Sequence, residues 1–138
     1  MTDANCIFCR IATGDIPCAK IYEDDNVLAF LDLAPVHPGH TLVIPKDHYK
    51  DMLEVPAELG TAVFAALQKV AGAVMKATSA QGFNVMQNNG LAAGQTMFHI
   101  HWHIIPRFDD DGLEMWAQGK YPDAAAMQEM AASVASYL

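Results

Sequence analysis

Apolar and polar residues alternate between residues 98 and 104, and this alternation predicts a β-strand. Because successive side chains along a strand point to opposite faces, His99, His101 and His103 are expected to share one face. The opposite face is entirely apolar and can pack into a core; it consists of Phe98, Ile100, Trp102 and Ile104. Pro106 cannot donate a hydrogen bond to a neighbouring strand, so the pattern predicts that the strand ends there.

The remaining hydrophobic patterns predict one sheet, one long helix and a C-terminal helix. Short apolar runs separated by turn residues predict strands at 21–23, 27–32, 41–45 and 83–87. Helical spacing predicts helices at about 56–78 and 122–137 and a short helical turn at 10–12. Because the strands are joined by short links, the expected architecture is an α+β fold with an antiparallel five-stranded sheet.

Length and charge narrow the class of protein. A chain of 138 residues with 52% hydrophobic residues predicts a single globular domain over 1–138, with its core at about 5–107 and a C-terminal helical extension at about 113–138. The net charge of −8 argues against a nucleic-acid polymer as partner, because phosphate neutralisation needs a basic face. The first residues do not resemble a signal peptide, and no apolar run approaches the ~20 residues of a membrane span. We therefore expect a cytoplasmic protein without membrane association.

Three interpretations of the histidine row compete. The simplest is a polar strand face whose histidines are only solvated or hydrogen-bonded. The second is a three-histidine zinc site with an open position for water. The third is nucleophilic and acid–base catalysis, in which one imidazole attacks and its neighbours assist.

The segment before the histidine row favours the third interpretation. Residues 88–90 and 94–96 are small, polar and rich in glycine. Such a loop can turn consecutive backbone N–H groups toward an anion. An anion cradle beside a row of imidazoles points to attack on phosphorus.

The spacing of two cysteines suggests that they bind a metal or take part in redox chemistry. Cys6 and Cys9 are spaced as C-x-x-C, which in a chain without a signal peptide is typical of a redox pair, half of a zinc site or two buried thiols. A zinc site needs two further ligands, and His48 is one candidate. Cys18 stands alone and is interpreted as a packed or surface thiol.

Three further features flank the predicted strands. Asp32 closes an apolar strand and is either a turn residue or an acceptor for ribose hydroxyls. His40, at the start of the 41–45 strand, reaches the histidine row if the two strands are adjacent. The acidic turn at 109–112 is interpreted as a solvated loop.

These residues resemble the histidine triad family of nucleotide hydrolases and transferases. The family signature, His-Φ-His-Φ-His-Φ-Φ with Φ hydrophobic, is filled without departure by residues 99–105. The similarity covers about residues 5–107, and further matching segments are Cys6–Cys9, Glu23–Asp25, Ala29–Asp32 and Gly39–Lys46.

The resemblance implies a role for each matching residue. His101 corresponds to the nucleophile that attacks the α-phosphorus and forms a covalent nucleotidyl-imidazole. His103 corresponds to the group that contacts the phosphate and the leaving group, and Thr96 to a residue that helps the leaving group depart. The positions that match nucleotide-binding residues are Phe8, Phe30, Asp32, Leu33, His40, Asn88, Gly94, Gln95, Thr96, His101 and His103.

One branch of the family carries a structural zinc ion. Its four ligands correspond here to Cys6, Cys9, His48 and His99. This set is a closed tetrahedral site, which is structural rather than catalytic. If His99 binds zinc, its imidazole is not free for acid–base chemistry.

The resemblance implies a hydrolase or transferase acting at the α-phosphate of purine nucleotides, with nucleoside phosphoramidates as the favoured substrates, and a homodimer. Besides a zinc hydrolase built on the three histidines, two alternatives remain open. One is hydrolysis of dinucleoside polyphosphates by the same nucleophile. The other is a nucleotide-binding interaction module with little turnover.

Overall fold

The computed structural model describes residues 1–138 as an α+β fold built on one five-stranded antiparallel sheet. The strand order is β1-β2-β3-β5-β4. The strands are β1 (Lys20–Glu23), β2 (Val27–Leu31), β3 (Thr41–Pro45), β4 (Gly82–Gln87) and β5 (Trp102–Arg107). The helices are α1 (Ile7–Ala12), α2 (Gly60–Thr78) and α3 (Ala124–Ala135), and short 3-10 turns lie at Ala57–Leu59 and Leu91–Ala93. The predicted fold class is confirmed.

The sheet is covered on both faces, which explains why its central strands read as unbroken apolar runs. On β2, Val27 and Ala29 pack with α2, whereas Leu28 and Phe30 pack with α1 on the other face. Every residue of β3 is buried. His103 alternates with Ile104, whose side chain lies on the α2 face, so the His103 imidazole lies on the face that α1 covers.

The histidine strand is shorter than predicted at its beginning. Pairing with β4 and with β3 starts only at Trp102, so residues 99–101 lie outside the ladder. They run instead beside the segment that follows β3, where the Ile100 N–H donates to the Tyr49 carbonyl at 2.8 Å. His101 and His103 still share a face, with ring centroids 4.9 Å apart.

Pro106 does not end the strand, and that prediction was wrong. It pairs with Phe83 of β4, and β5 continues to Arg107. The pairing of β5 with β3 stops at Ile104, so the proline lies where β5 has only one neighbouring strand. A missing N–H is tolerated there because no second ladder needs it.

The acidic turn after β5 also differs from the prediction. Asp109 and Asp110 are exposed as expected. The Asp111 side chain is only 5% exposed and accepts hydrogen bonds from Arg107 and His37. The interpretation of this turn as a solvated loop is therefore wrong for Asp111, because a distant loop supplies it with a partner that local sequence does not reveal.

No helix of the fold has both the length and the apolar character that crossing a bilayer requires.

Gly39 offers a test of the contact between the β2–β3 loop and α2. Its φ is +97°, and a Cβ at this position would lie 2.6 Å from Thr78 Cγ2. We expect Gly39→Ala to lower the free energy of unfolding by about 1–3 kcal/mol, through backbone strain and this contact. Gly72→Ala in α2, where a Cβ meets nothing within 4 Å, should instead raise it by about 0.5–1 kcal/mol. Urea denaturation of both variants measures the difference; equal stability of Gly39→Ala and wild type would refute the clash.

Candidate active site and metal centre

His101 is held in the tautomer of a nucleophile. Its Nδ1–H donates to the carbonyl oxygen of His99 at 2.8 Å, so Nε2 carries the lone pair. The side chain is half-buried, and the edge of its ring meets Phe8 with centroids 5.2 Å apart. A neutral imidazole with one nitrogen held and the other free can attack an electrophile directly.

A chain of hydrogen bonds determines where the proton of His103 lies. The Val36 N–H donates to His40 Nδ1 at 3.0 Å, and because a backbone N–H can only donate, His40 carries its proton on Nε2. His40 Nε2 lies 2.8 Å from His103 Nδ1, which must therefore accept. The remaining proton of His103 is on Nε2, the nitrogen that is free to meet a substrate.

The electrostatics agree with this neutral chain. Burial, together with the neighbouring His101 and His40, lowers the pKa of His103 to about 4, against the opposing effect of the Asp32 carboxylate. Burial also lowers the pKa of His40, against the opposing effect of the Asp32 carboxylate, whose Oδ2 lies 3.6 Å from Nε2. A second proton on His103 would place two N–H groups face to face across 2.8 Å. Both imidazoles are therefore neutral near pH 7.

Four side chains on the same side of the sheet fit a zinc ion. Cys6 Sγ lies 3.4 Å from His99 Nδ1, and Cys9 Sγ lies 3.4 Å from His48 Nδ1 and 3.5 Å from His99 Nδ1. A tetrahedral zinc with arms of about 2.3 Å to sulfur and about 2.0 Å to nitrogen has sulfur–nitrogen edges of about 3.5 Å. The spacing of these donors is that of a Cys2His2 site.

The surroundings of these four residues are also those of a metal site. His99 is fully buried, and its Nε2–H donates to the Pro45 carbonyl at 2.9 Å, which leaves Nδ1 unprotonated toward the sulfurs. Cys9 Sγ accepts from the Asp3 N–H, and Cys6 Sγ accepts from the Cys9 N–H. His99 thus faces the cysteines with its imidazole and holds His101 with its main chain.

A second cluster, formed by Asp32, His40 and His103, is similarly compact but does not fit a metal. Its ligand atoms lie within 4.8 Å of one another. A histidine that binds metal donates its other ring N–H to an acceptor, whereas His40 Nδ1 faces the Val36 N–H. The donors and acceptors of this cluster are arranged to hold a proton in hydrogen bonds and not to bind a metal ion. The three triad imidazoles also do not converge on one point, because His99 turns toward the cysteines.

The loop before the triad is a tight turn in which the N–H groups of Gly94 and Gln95 donate to the carbonyls of Leu91 and Gly90. Gly94 has φ +89°, a conformation that favours glycine, and the Asn88 amide lies beside it. Thr96 is exposed at the loop's end.

Gln95 lies inside this loop and not at its surface. Its Oε1 accepts from the Gly90 N–H at 2.8 Å, and its Nε2 donates to the carbonyls of Lys50 and Met97. Its own N–H donates to the Gly90 carbonyl. All of its N–H donors are engaged, so Gln95 supports the loop from within.

The positions matched to base and ribose contacts differ in exposure. Phe8 and Phe30 are buried, with their rings edge to face at 5.7 Å, and the Phe8 ring also meets His101. Leu33 is fully exposed, and Asp32 is half-buried just beyond β2. Sequence reasoning missed Val36, because its contribution is a backbone N–H that no side-chain pattern can signal.

A paired imidazole site on one face of an antiparallel sheet, beside a Cys2His2 cluster, is the arrangement of a histidine triad protein. The HIT domain family model matches residues 13–110. The chain belongs to the HIT family.

Three curated relatives share much of the chain. "Protein hit" of Bacillus subtilis is 53% identical over 104 residues, which are 75% of this chain and 72% of that protein. "Adenylylsulfatase HINT3" of Arabidopsis thaliana is 46% identical over 82% of this chain, but the match spans only 56% of the plant protein. "Adenosine 5'-monophosphoramidase hnt1" of Schizosaccharomyces pombe is 45% identical over 78% of this chain and 77% of that protein.

Solved structures share the whole fold. A HIT-family protein of Bacillus subtilis superposes with a TM-score of 0.90 and 45% identity over 97% of each chain. A zinc-bound histidine triad protein of Mycobacterium smegmatis superposes with a TM-score of 0.76 and 39% identity, covering 97% of this chain and 98% of that one.

Proposed function

We propose that this protein hydrolyses or transfers nucleotides at the α-phosphate of nucleoside phosphoramidates or related purine nucleotides, through a covalent nucleotidyl-His101 intermediate. The observation that carries the proposal is the hydrogen bond from His101 Nδ1 to the His99 carbonyl, which frees Nε2 for attack. The Nε2–H of His103 supplies a donor beside it.

The reaction has two displacement steps. The His101 Nε2 lone pair attacks phosphorus, the P–N or P–O bond to the leaving group breaks, and the leaving atom takes up one proton from solvent while the His103 Nε2–H donates a hydrogen bond to it. The His99 carbonyl then stabilises the positive charge on the nucleotidyl-imidazole through the Nδ1–H. Water attacks phosphorus in the second step, the P–Nε2 bond breaks and one proton is released, so the sequence is proton-neutral.

We assign different residues around His101 to the different parts of the substrate. We assign the α-phosphate to the loop formed by Asn88, Gly94 and Thr96, with Gln95 as its internal support. Thr96 also assists departure of the leaving group. We assign ribose hydroxyls to Asp32, with Leu33 beside it, and the base to the side of the site walled by Phe8 and Phe30.

We assign a zinc ion to Cys6, Cys9, His48 and His99. Four protein ligands leave no position for water, so the ion would be structural. It would tie α1 and the segment after β3 to the residue whose carbonyl holds His101.

The names of the relatives support adenine nucleotides with a small leaving group. One relative is named for an adenylyl sulfate substrate and another for an adenosine phosphoramidate substrate. In both, the bond that breaks would join the α-phosphorus to a small non-nucleotide group. Dinucleoside polyphosphates, which carry a large leaving group, are the second candidate, and a binding module with little turnover is the third.

The exposed edge of the sheet supports an assembly of two copies. β4 is an edge strand with Phe83 and Val85 each 45% exposed, and covering it by a second copy would remove an aggregation hazard. We therefore propose a homodimer.

The free cysteines of the zinc cluster suit a reducing compartment and support a cytoplasmic location. The net charge of −8 supports a mononucleotide partner over a nucleic-acid polymer.

A substrate panel tests the proposal. Adenosine 5'-phosphoramidate, its guanosine analogue and diadenosine tetraphosphate are each incubated with the zinc-loaded protein, and nucleoside monophosphate release is followed by chromatography. We expect kcat/KM to be at least about tenfold higher for a phosphoramidate than for the dinucleotide. The reverse order would favour the polyphosphate hydrolase. Saturable AMP binding without release from any of the three would favour the binding module.

A further inference from the structure

The loop between β2 and β3 is anchored from outside the active site. This loop, residues 32–40, carries Asp32, Val36 and His40. His37, which follows Val36 in this loop, donates from Nε2 to the Asp111 carboxylate at 3.2 Å and packs its ring edge to face on Phe108, with centroids 5.4 Å apart. The His40 N–H donates to the His37 carbonyl at 3.0 Å. His37 therefore anchors the part of the loop that carries Val36 and His40 to the turn after β5.

The Asp111 carboxylate is built as a fixed acceptor. Arg107 donates to it twice, from Nε at 2.7 Å and from Nη2 at 3.0 Å. The backbone N–H groups of Phe108 and Leu113 add bonds of 3.2 and 3.1 Å. The hydrogen bonds from Arg107 hold the pKa of Asp111 well below its usual range, so the carboxylate is an anion near neutral pH.

We propose that Asp111 and His37 are positioning residues that set the protonation pattern of the catalytic histidines through the Val36 N–H. This inference rests on the proposed function for its catalytic consequence but not for its structural one. The path runs from Asp111 to His37, to the Val36 N–H, to His40 Nδ1 and to His103 Nδ1.

A small displacement of this loop would reverse the polarity of His103. If the Val36 N–H leaves His40 Nδ1, that nitrogen can take the proton and His40 Nε2 becomes an acceptor. His103 would then donate from Nδ1, and its Nε2 would present a lone pair to the leaving group in place of a proton. The donor that departure of the leaving group needs would be lost although every catalytic side chain remains present.

A matched pair of substitutions at His37 tests this path. His37→Phe keeps the ring packing on Phe108 but removes the donor to Asp111, whereas His37→Gln keeps an N–H donor. Nitrogen-15 NMR of the zinc-loaded, full-length protein, labelled at histidine, reports which ring nitrogen of His40 and His103 carries the proton. We expect Nε2–H for both residues in wild type and in His37→Gln, and a population of Nδ1–H in His37→Phe.

The kinetic expectation follows from the loss of the donor. In His37→Phe, kcat for the phosphoramidate should fall by about tenfold or more, up to the roughly 10²–10⁴-fold that a positioned acid–base group contributes, while KM stays nearly constant. His37→Gln should remain within about threefold of wild type. Asp111→Ala, which removes the acceptor instead, should shift the tautomers as His37→Phe does. Asp110→Asn at the exposed neighbouring position should shift neither tautomers nor kcat.

The outcomes separate this inference from the proposed function. Wild-type tautomers and kcat in both His37→Phe and Asp111→Ala would overturn the inference and leave the proposed function intact. A fall in kcat with unchanged tautomers would assign the pair a purely structural role and also overturn it. Because the NMR measurement needs no substrate, it decides the inference even if wild type turns over no phosphoramidate.

Discussion

Replacing His101 with asparagine is expected to lower turnover of an adenosine phosphoramidate by roughly 10⁴-fold or more, the scale on which enzymes lose activity when a nucleophile is removed. Asparagine Nδ2 occupies nearly the position of histidine Nδ1 and can still donate to the His99 carbonyl, which accepts from His101 at 2.8 Å. The lone pair at Nε2 is lost, together with the ring edge that meets Phe8. Nucleotide affinity should therefore remain within a few fold of wild type.

The measurement is intact-protein mass after mixing with substrate and quenching in mild acid. Wild type should show a transient gain of one nucleotidyl group per chain, and His101→Asn should show none. Calorimetric titration with AMP checks that the variant still binds nucleotide. Thermal melting checks that it is folded.

Three outcomes would contradict the assignment of His101. An adduct in His101→Asn would place the nucleophile elsewhere. Normal turnover without an adduct in either protein would indicate direct attack by water. Loss of both AMP binding and turnover in His101→Asn would mean that His101 serves mainly to bind the substrate. The nucleophile would then have to be identified by mapping the adduct.

The elements that sequence predicts well are those whose pattern is local. β3 was predicted at 41–45 and forms at Thr41–Pro45, because an apolar run bounded by turn residues suits a strand buried on both faces. The long helix was predicted from its apolar spacing, and it buries Val63, Val70 and Val74 along one side. The predicted helix start at Pro56 is instead a 3-10 turn at Ala57–Leu59, after which α2 begins.

Within the site, sequence indicates the chemistry better than the direction of each side chain. The spacing of His101 and His103 correctly predicts a shared face. Alternation alone does not reveal that His99 turns toward Cys6 and Cys9, which lie 93 and 90 residues away. Only the resemblance to a zinc-containing branch suggested that grouping. The residues that were missed act through distant or backbone partners, as Asp111 does on His37 and Val36 does on His40.

Removing a ligand from the Cys2His2 cluster is expected to lower the melting temperature by about 10 °C. Cys6 and Cys9 lie on the first turn of α1, His48 follows β3 and His99 precedes β5, so one ion would join three segments that no disulfide connects. Structural zinc contributes its binding free energy to folding. A loss of about 3 kcal/mol corresponds to roughly 10 °C for a chain of this size. Elemental analysis and thermal melting of Cys9→Ser measure the effect.

Cys18→Ser is the matched control for this substitution. Cys18 is the remaining cysteine, is half-buried and lies outside the cluster, so its replacement should leave one zinc per chain and the melting temperature almost unchanged. At a temperature where Cys9→Ser is folded, kcat should fall less than about tenfold, because the ion would support His101 only through the His99 main chain. One zinc per chain in Cys9→Ser would disprove this ligand set. Complete loss of turnover on chelation, with the fold intact, would instead show that the ion is catalytic and that His101 is not the nucleophile.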